Sequence, residues 1–258
     1  MRRAFYIFSA ALFAGGIVIA IVVPAPVTGD PGEDAETPVE VPTVTFPFEP
    51  SGTLVAGSGT GIADETQWAA DMRFPIELAE AYANSQVYGA GGMYGPAGGQ
   101  CAASNYSYPW HDNFCETRDR TNIFCPAGKG HQGQDIRPAT CEKGKYWAVA
   151  AEPGQITAIG SYTVTLTADS GLIYRYLHLD MARLAVKQGD TVTKGQHIGY
   201  VSNDFGGSVT TIHLHFEIKA NVIGADGQPT ITFVSPYMSL VRAYERLLTE
   251  EAKATPDS

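Results

Sequence analysis

The sequence predicts a mainly β protein: an antiparallel β-sheet or sandwich domain with a groove on one face, an N-terminal transmembrane helix and a C-terminal helix. Three observations carry that reading. Short alternating apolar segments, separated by glycine- and proline-containing turns, fill residues 146–219, as half-buried strands joined by tight turns do. Residues 4–23 are uncharged and mainly apolar. Residues 237–248 space their apolar side chains as one face of a helix does.

At the N-terminus, Arg2 and Arg3 precede the run from Ala4 to Val23. A helix of that length spans about 30 Å, the thickness of a bilayer core. A cleaved signal peptide is the alternative, although its apolar region is normally shorter. Ala25 could mark a cleavage site, but Pro26 follows it and would hinder cleavage. The arginines favour the cytoplasmic side. Residues 1–23 are therefore expected to anchor the chain in a membrane, with the rest exported and periplasmic; a cleaved, secreted form is the other option.

The formal net charge of −10 is unevenly placed. Residues 4–72 hold nine acids and no Lys or Arg, whereas residues 73–258 hold 18 acids against 15 bases. The folded part is near neutral, so no nucleic-acid-binding face is expected. Residues 24–66, rich in Pro, Gly, Thr and acids, read as an extended, solvated linker. A short helix is expected near Glu65–Met72.

Residues 67–130 read as an N-terminal extension and a loop-like insertion with Cys101, Cys115, Cys125 and, just beyond, Cys141. No pair has C-x-x-C spacing, which disfavours a structural zinc site. An exported chain is expected to oxidise all four. Three pairings are possible; nearest neighbours, Cys101–Cys115 and Cys125–Cys141, are the working expectation, with free buried thiols as the alternative. Strands are expected at Tyr146–Ala151, Gln155–Ile159, Tyr162–Thr167, Leu172–Leu179 and Thr211–Lys219. Ser235 can cap the last helix, with Pro236 in its first turn. Its stripe of Tyr237, Leu240, Val241, Tyr244, Leu247 and Leu248 is expected to pack on the domain rather than on a partner.

Three clusters carry chemistry: His131-Gln-Gly-Gln-Asp135, Tyr176-Leu-His178-Leu179 and His213-Leu-His215-Phe-Glu217. In a strand, His213 and His215 share one face and Leu214 and Phe216 the other. By the same rule His178 shares a face with Tyr174 and Tyr176. His131 and Asp135, four apart, return to one face of an extended segment, and Gly133 permits a bend. Four histidines and an aspartate can thus converge. Zinc accepts imidazole nitrogen and carboxylate oxygen, and a catalytic site uses three protein ligands plus water. The remaining two histidines suit proton transfer and oxyanion stabilisation, an inventory for metal-assisted hydrolysis. The chain lacks a nucleophile elbow, a phosphate loop and a dinucleotide fingerprint. A lone His-x-His would be weak evidence; the three clusters together are stronger.

HQGQD, YLHL and HLHFE, in that order, resemble the motifs of the lysostaphin/LytM-type zinc endopeptidases, and VKQGDTVTKGQHIGYV resembles an intervening family segment. The resemblance covers roughly residues 120–238. It implies a zinc endopeptidase core over 131–238, followed by a helix and tail at 239–258. It implies His131, Asp135 and His215 as zinc ligands, His213 as the catalytic histidine that helps activate the metal's water, and His178 as a stabiliser of charge on the scissile carbonyl. The implied substrate is peptidoglycan, cut in its peptide stems or cross-bridges. Some relatives are catalytically silent and activate other wall hydrolases, so a binding module, or an enzyme with a protein regulator, is the alternative; the complete ligand set favours activity. A peptidase acting on exported proteins is a third option. The chain departs from the family at Gln134, where an apolar residue is usual, in the loop 202–211, and in the cysteine-bearing insertion at about 90–125. His111 and His197 read as structural or surface residues. Tyr106, Tyr108 and Trp110 could line a groove but more simply pack against the insertion.

Overall fold

The computed structural model describes residues 43–224 and 226–254. The expected anchor at 1–23 and the first part of the expected linker lie outside them. No helix among the described residues is long and apolar enough to cross a membrane.

The elements run β1 (Ala81–Ala83), β2 (Gln134–Pro138), β3 (Trp147–Val149), β4 (Gly154–Ile159), β5 (Thr163–Ala168), β6 (Ile173–Leu177), β7 (Thr191–Val192), β8 (His197–Tyr200), β9 (Asp204–Phe205), β10 (Ser208–Val209), β11 (Leu214–Ile223), β12 (Pro229–Val234) and α1 (Tyr237–Ala254). The main sheet has the order β1-β2-β11-β6-β5-β4-β7. All its pairs are antiparallel. The β5–β6 connection turns at Asp169-Ser170-Gly171, where Gly171 takes φ +90°, a conformation a side chain would strain. Two small sheets, β3–β8 and β9–β10, complete the β structure of the described residues.

Strand β11 organises the molecule. Leu214–Phe216 pair with β2, His215–Lys219 with β6, and Ile218–Ile223 with β12. Strands β2 and β12 therefore share one edge of β11 end to end. Alternation divides its side chains: Leu214, Phe216 and Ile218 are fully buried in the core, opposite Ile136, Tyr176 and Tyr174 in register. Helix α1 closes that core with Tyr237, Leu240, Val241, Tyr244 and Leu247, the stripe expected from its spacing. Ser235 caps it weakly, its Oγ 3.4 Å from the Tyr237 amide. Trp110 stacks on Tyr244 at 4.6 Å and packs against Phe74, while its indole N–H donates to the Ala81 carbonyl at 2.8 Å. Trp110 is thus core, not groove.

Three expectations are corrected. The described part of the 24–66 segment is not wholly solvated: many of its residues are exposed, but Phe46, Ser51 and Ser58 are buried. Phe46 packs edge-on against Trp110 and Tyr244 at 4.5 and 4.8 Å, Phe48 bridges to Trp110, and the Gly52 amide donates to Asp112 at 2.8 Å. Two phenylalanines anchor a segment whose average composition is that of a linker. The short helix expected near Glu65–Met72 is instead a run of turns. The disulfides are nested, Cys101–Cys141 around Cys115–Cys125, not the expected Cys101–Cys115 and Cys125–Cys141. Arg137 of β2 donates to the Gln100 carbonyl at 2.9 Å, which sets the chain after β2 beside Cys101, a proximity that chain spacing does not encode.

Candidate metal and hydrolytic site

The face of β11 opposite the core presents His215 and Glu217, with His213 immediately before the strand. His215 lies opposite Asp135 of β2 and Leu177 of β6, and Glu217 opposite Arg175. His131 precedes β2 and reaches the same point because Gly133 lets the chain approach closely. A Cβ on Gly133 would lie 2.3 Å from the Phe216 carbonyl oxygen. Its φ is not positive, so close approach, rather than a bend, requires the glycine.

His131 Nε2 lies 2.9 Å from His215 Nδ1 and 3.3 Å from Asp135 Oδ1; His215 Nδ1 lies 2.9 Å from the same oxygen. The three side chains are buried, and their ligand atoms lie within 4.8 Å of one another. Tetrahedral zinc with bonds of about 2.0–2.1 Å separates its ligand atoms by about 3.3 Å, so these residues fit the ion. The remaining ring nitrogens have partners. His131 Nδ1–H donates to the Asn113 carbonyl at 2.9 Å. His215 Nε2–H donates to Glu217 Oε1 at 2.9 Å, and Arg175 pairs with the other Glu217 oxygen. Each contact fixes the tautomer that leaves a lone pair for a metal.

His178 and His213 lie beside this cluster, their rings 4.7 Å apart. Strand alternation puts His178 with Tyr174 and Tyr176, but the structure differs: those tyrosines are buried in the core, while Arg175, Leu177 and His178 line the groove. His178 has φ +67°. Just past the end of β6 this left-handed residue breaks the alternation and turns the imidazole onto the other face. Its Nδ1–H donates to the Asp204 carbonyl at 2.9 Å. His213 Nδ1–H likewise donates to the Thr211 carbonyl at 2.9 Å. In both, Nε2 is the nitrogen left for chemistry; that of His213 lies 3.4 Å from Asp135 Oδ1.

The electrostatics follow from burial and these partners. Burial, then His213 and His215, push the His178 pKa down to about 2. Burial also lowers that of His131, against the pull of Asp135. Burial opposes the Asp135 charge, yet His131 and His213 hold its carboxyl well below the usual range. Burial likewise disfavours charge on His215, but its bonds to Asp135 and Glu217 win and raise it to about 9.

The site opens into a groove of about 280 Å³, rimmed by Gln86, Arg118, Arg120, Tyr162 and Phe205. His111 and His197 are not part of it: His197 pairs with Glu77 at 2.8 Å and stacks on Trp147. The sequence reading missed Asn113, whose amide Nδ2–H also donates to Asp135 Oδ2 at 3.1 Å. Nothing in a lone Asn of a cysteine-rich loop signals that role. Glu217, two residues past His215 on the same face, was legible by alternation. Gln134, a departure from the family pattern, accepts from the Asn113 amide at 3.1 Å and donates to the His111 carbonyl at 3.0 Å. It ties the insertion to β2 where an apolar side chain could not.

A buried His–Asp–His cluster with two further histidines on one sheet face defines a protein with a metallohydrolase-type site. Residues 129–229 match the model of peptidase family M23. Among solved structures, the chain is similar to a Ruminococcus gnavus protein described as a glycyl-glycine endopeptidase lytM: 21% identity, 69% of this chain, 62% of that one, TM-score 0.43. It is also similar to the catalytic domain of the antimicrobial peptidase lysostaphin from Staphylococcus simulans, at 24% identity over 49% of this chain and 89% of that one, TM-score 0.35. The match thus spans less than two thirds of the Ruminococcus gnavus chain. No curated protein matches the sequence.

Proposed function

We propose that the chain is a zinc-dependent endopeptidase that hydrolyses peptide bonds in the stems or cross-bridges of peptidoglycan. One observation carries this: three ligand atoms from His131, Asp135 and His215 converge beside two histidines that each keep Nε2 unbonded to backbone. Zinc held there would supply a Lewis acid that polarises the scissile carbonyl and brings the pKa of a water near 7.

The protein's own groups supply the rest. His213, oriented through Nδ1 by the Thr211 carbonyl, takes the proton of the attacking water at Nε2 and returns it to the leaving amine. His178 is neutral at rest, and its Nε2 then carries no proton. As negative charge develops on the scissile carbonyl oxygen beside it, Nε2 would take up a proton from solvent and donate it in a hydrogen bond to that oxygen, with the Asp204 carbonyl supporting the imidazolium. Asn113 and Glu217 hold the ligand rings in place. The reading includes a membrane-anchored, extracytoplasmic setting, supported by the uncharged segment 4–23 and by two disulfides, which persist in oxidising compartments.

The test is digestion of purified peptidoglycan by the full chain, with and without a chelator, followed by mass analysis. Chelator-sensitive release of fragments with new peptide termini and intact glycan is expected. Absence of cleavage by protein carrying one zinc would replace this reading with that of a regulatory wall-binding module.

A further inference from the structure

The groove is basic at its metal-ligand end. Arg118 and Arg120 line it together with His131 and Asp135. Both belong to the segment closed by the Cys115–Cys125 disulfide, and that segment is fixed to the ligand strand. The Gly130 amide donates to the Arg120 carbonyl at 2.9 Å, and the His131 amide to the Glu116 carbonyl at 2.8 Å. The two arginines differ in their engagement. Arg118 is held by Glu116 at 2.7 Å and by the Thr117 carbonyl at 2.8 Å. Arg120 is exposed and has no acidic partner among the described residues. The acid beside it, Asp119, pairs with Lys129 at 3.0 Å.

The groove's own acids are also committed: Asp135 to the histidine cluster and Glu217 to His215 and Arg175. The unmatched charge on this wall is therefore positive, in a chain whose net charge is −10. The other end is aromatic. Tyr162 and Phe205 pack together at 4.9 Å, and Phe205 packs on His178 at 5.4 Å. An exposed arginine on a free loop contributes little. Arg120 differs because its backbone is pinned one residue from a ligand, inside a concave site that focuses its field.

We infer that Arg120, backed by Arg118, forms a carboxylate-binding subsite, so that the groove selects anionic peptides with a free carboxylate near the scissile amide over neutral, oligoglycine-like ones. Guanidinium matches carboxylate geometry through paired N–H donors. The inference rests on the endopeptidase reading only for the position of the scissile bond.

The test measures binding and turnover separately. The full-length, zinc-loaded His213→Ala protein is titrated with a soluble cross-linked muropeptide carrying free α-carboxylates, and with the same compound converted to carboxamides. The free acid is expected to bind about tenfold more tightly, a preference that shrinks as salt is raised. Adding Arg120→Ala should bring the two affinities together, and Arg120→Lys should restore part of the difference. Equal affinities in the Arg120-containing protein, or a preference that survives Arg120→Ala, would overturn the inference. Cleavage by the protein with His213 intact reports independently on the endopeptidase reading, because a silent protein would still show or lack the binding preference.

Discussion

Asn113 Nδ2 lies 3.1 Å from Asp135 Oδ2, while the backbone carbonyl of the same asparagine accepts from His131 Nδ1 at 2.9 Å. One residue of the insertion thus orients two of the three candidate ligands. Asn113→Ala keeps the carbonyl but removes the amide. It is expected to weaken zinc binding by about 10–100-fold and, because the buried side chain also accepts from the Asp135 amide, to cost about 1–3 kcal/mol of stability. Competition against a chelator of known affinity measures this; unchanged affinity would reduce Asn113 to a packing residue.

The two groups of histidines should separate by phenotype. His131→Ala removes a ligand, so zinc content should fall from one per chain towards none and activity with it. His213→Ala should retain zinc and lose about 10²–10⁴-fold in turnover. His178→Ala should also retain zinc, with a loss of about 10²–10³-fold. Metal analysis alongside peptide release distinguishes them. A full complement of zinc in His131→Ala would refute the ligand assignment.

Proton and zinc compete at His215. In the metal-free protein, burial notwithstanding, Asp135 and Glu217 raise its pKa from 6.5 to about 9. Its contribution to stability is full below about 6.5 and is lost as pH rises through about 9. His178 acts in the opposite sense. With its pKa lowered to about 2, the unfolded chain gains a proton that the folded protein refuses. Stability therefore falls as pH drops from about 6.5. Denaturant titrations of the metal-free protein should show these two groups favouring a maximum near pH 6.5. Zinc uptake near pH 7 should release a proton from His215, so affinity should climb towards pH 9. Calorimetry in buffers of different ionisation enthalpy counts that proton; none released would contradict this charge state.

The segment before residue 67 should behave as part of the fold. Phe46 is 8% exposed, within the aromatic cluster of Trp110 and Tyr244. Phe46→Ala is expected to cost about 3–5 kcal/mol, and removing residues 43–66 should cost at least as much. Unfolding midpoints of the two variants check this. A midpoint unchanged by Phe46→Ala would return the segment to the role of a linker.

The sequence by itself determined the β class, the strands from Trp147 to Leu177, the packing face of α1, and that His213 and His215, at the start of β11, share a face. Each is a local periodicity: alternation assigned Leu214 and Phe216 to the core and His213 and His215 to the other face, whatever the rest of the chain did. Motif order supplied the remainder of the proposed ligand set. Tertiary structure decided what periodicity cannot reach. A single left-handed residue moved His178 across the sheet from Tyr174 and Tyr176. The approach of β2 to the loop at Gln100 paired Cys101 with Cys141. Two phenylalanines in a polar segment found the Trp110 cluster, and Asn113 and Arg120 reached the site through a disulfide-closed loop. These are contacts between residues distant in the chain, and their free energy depends on three-dimensional proximity that no short window of sequence contains.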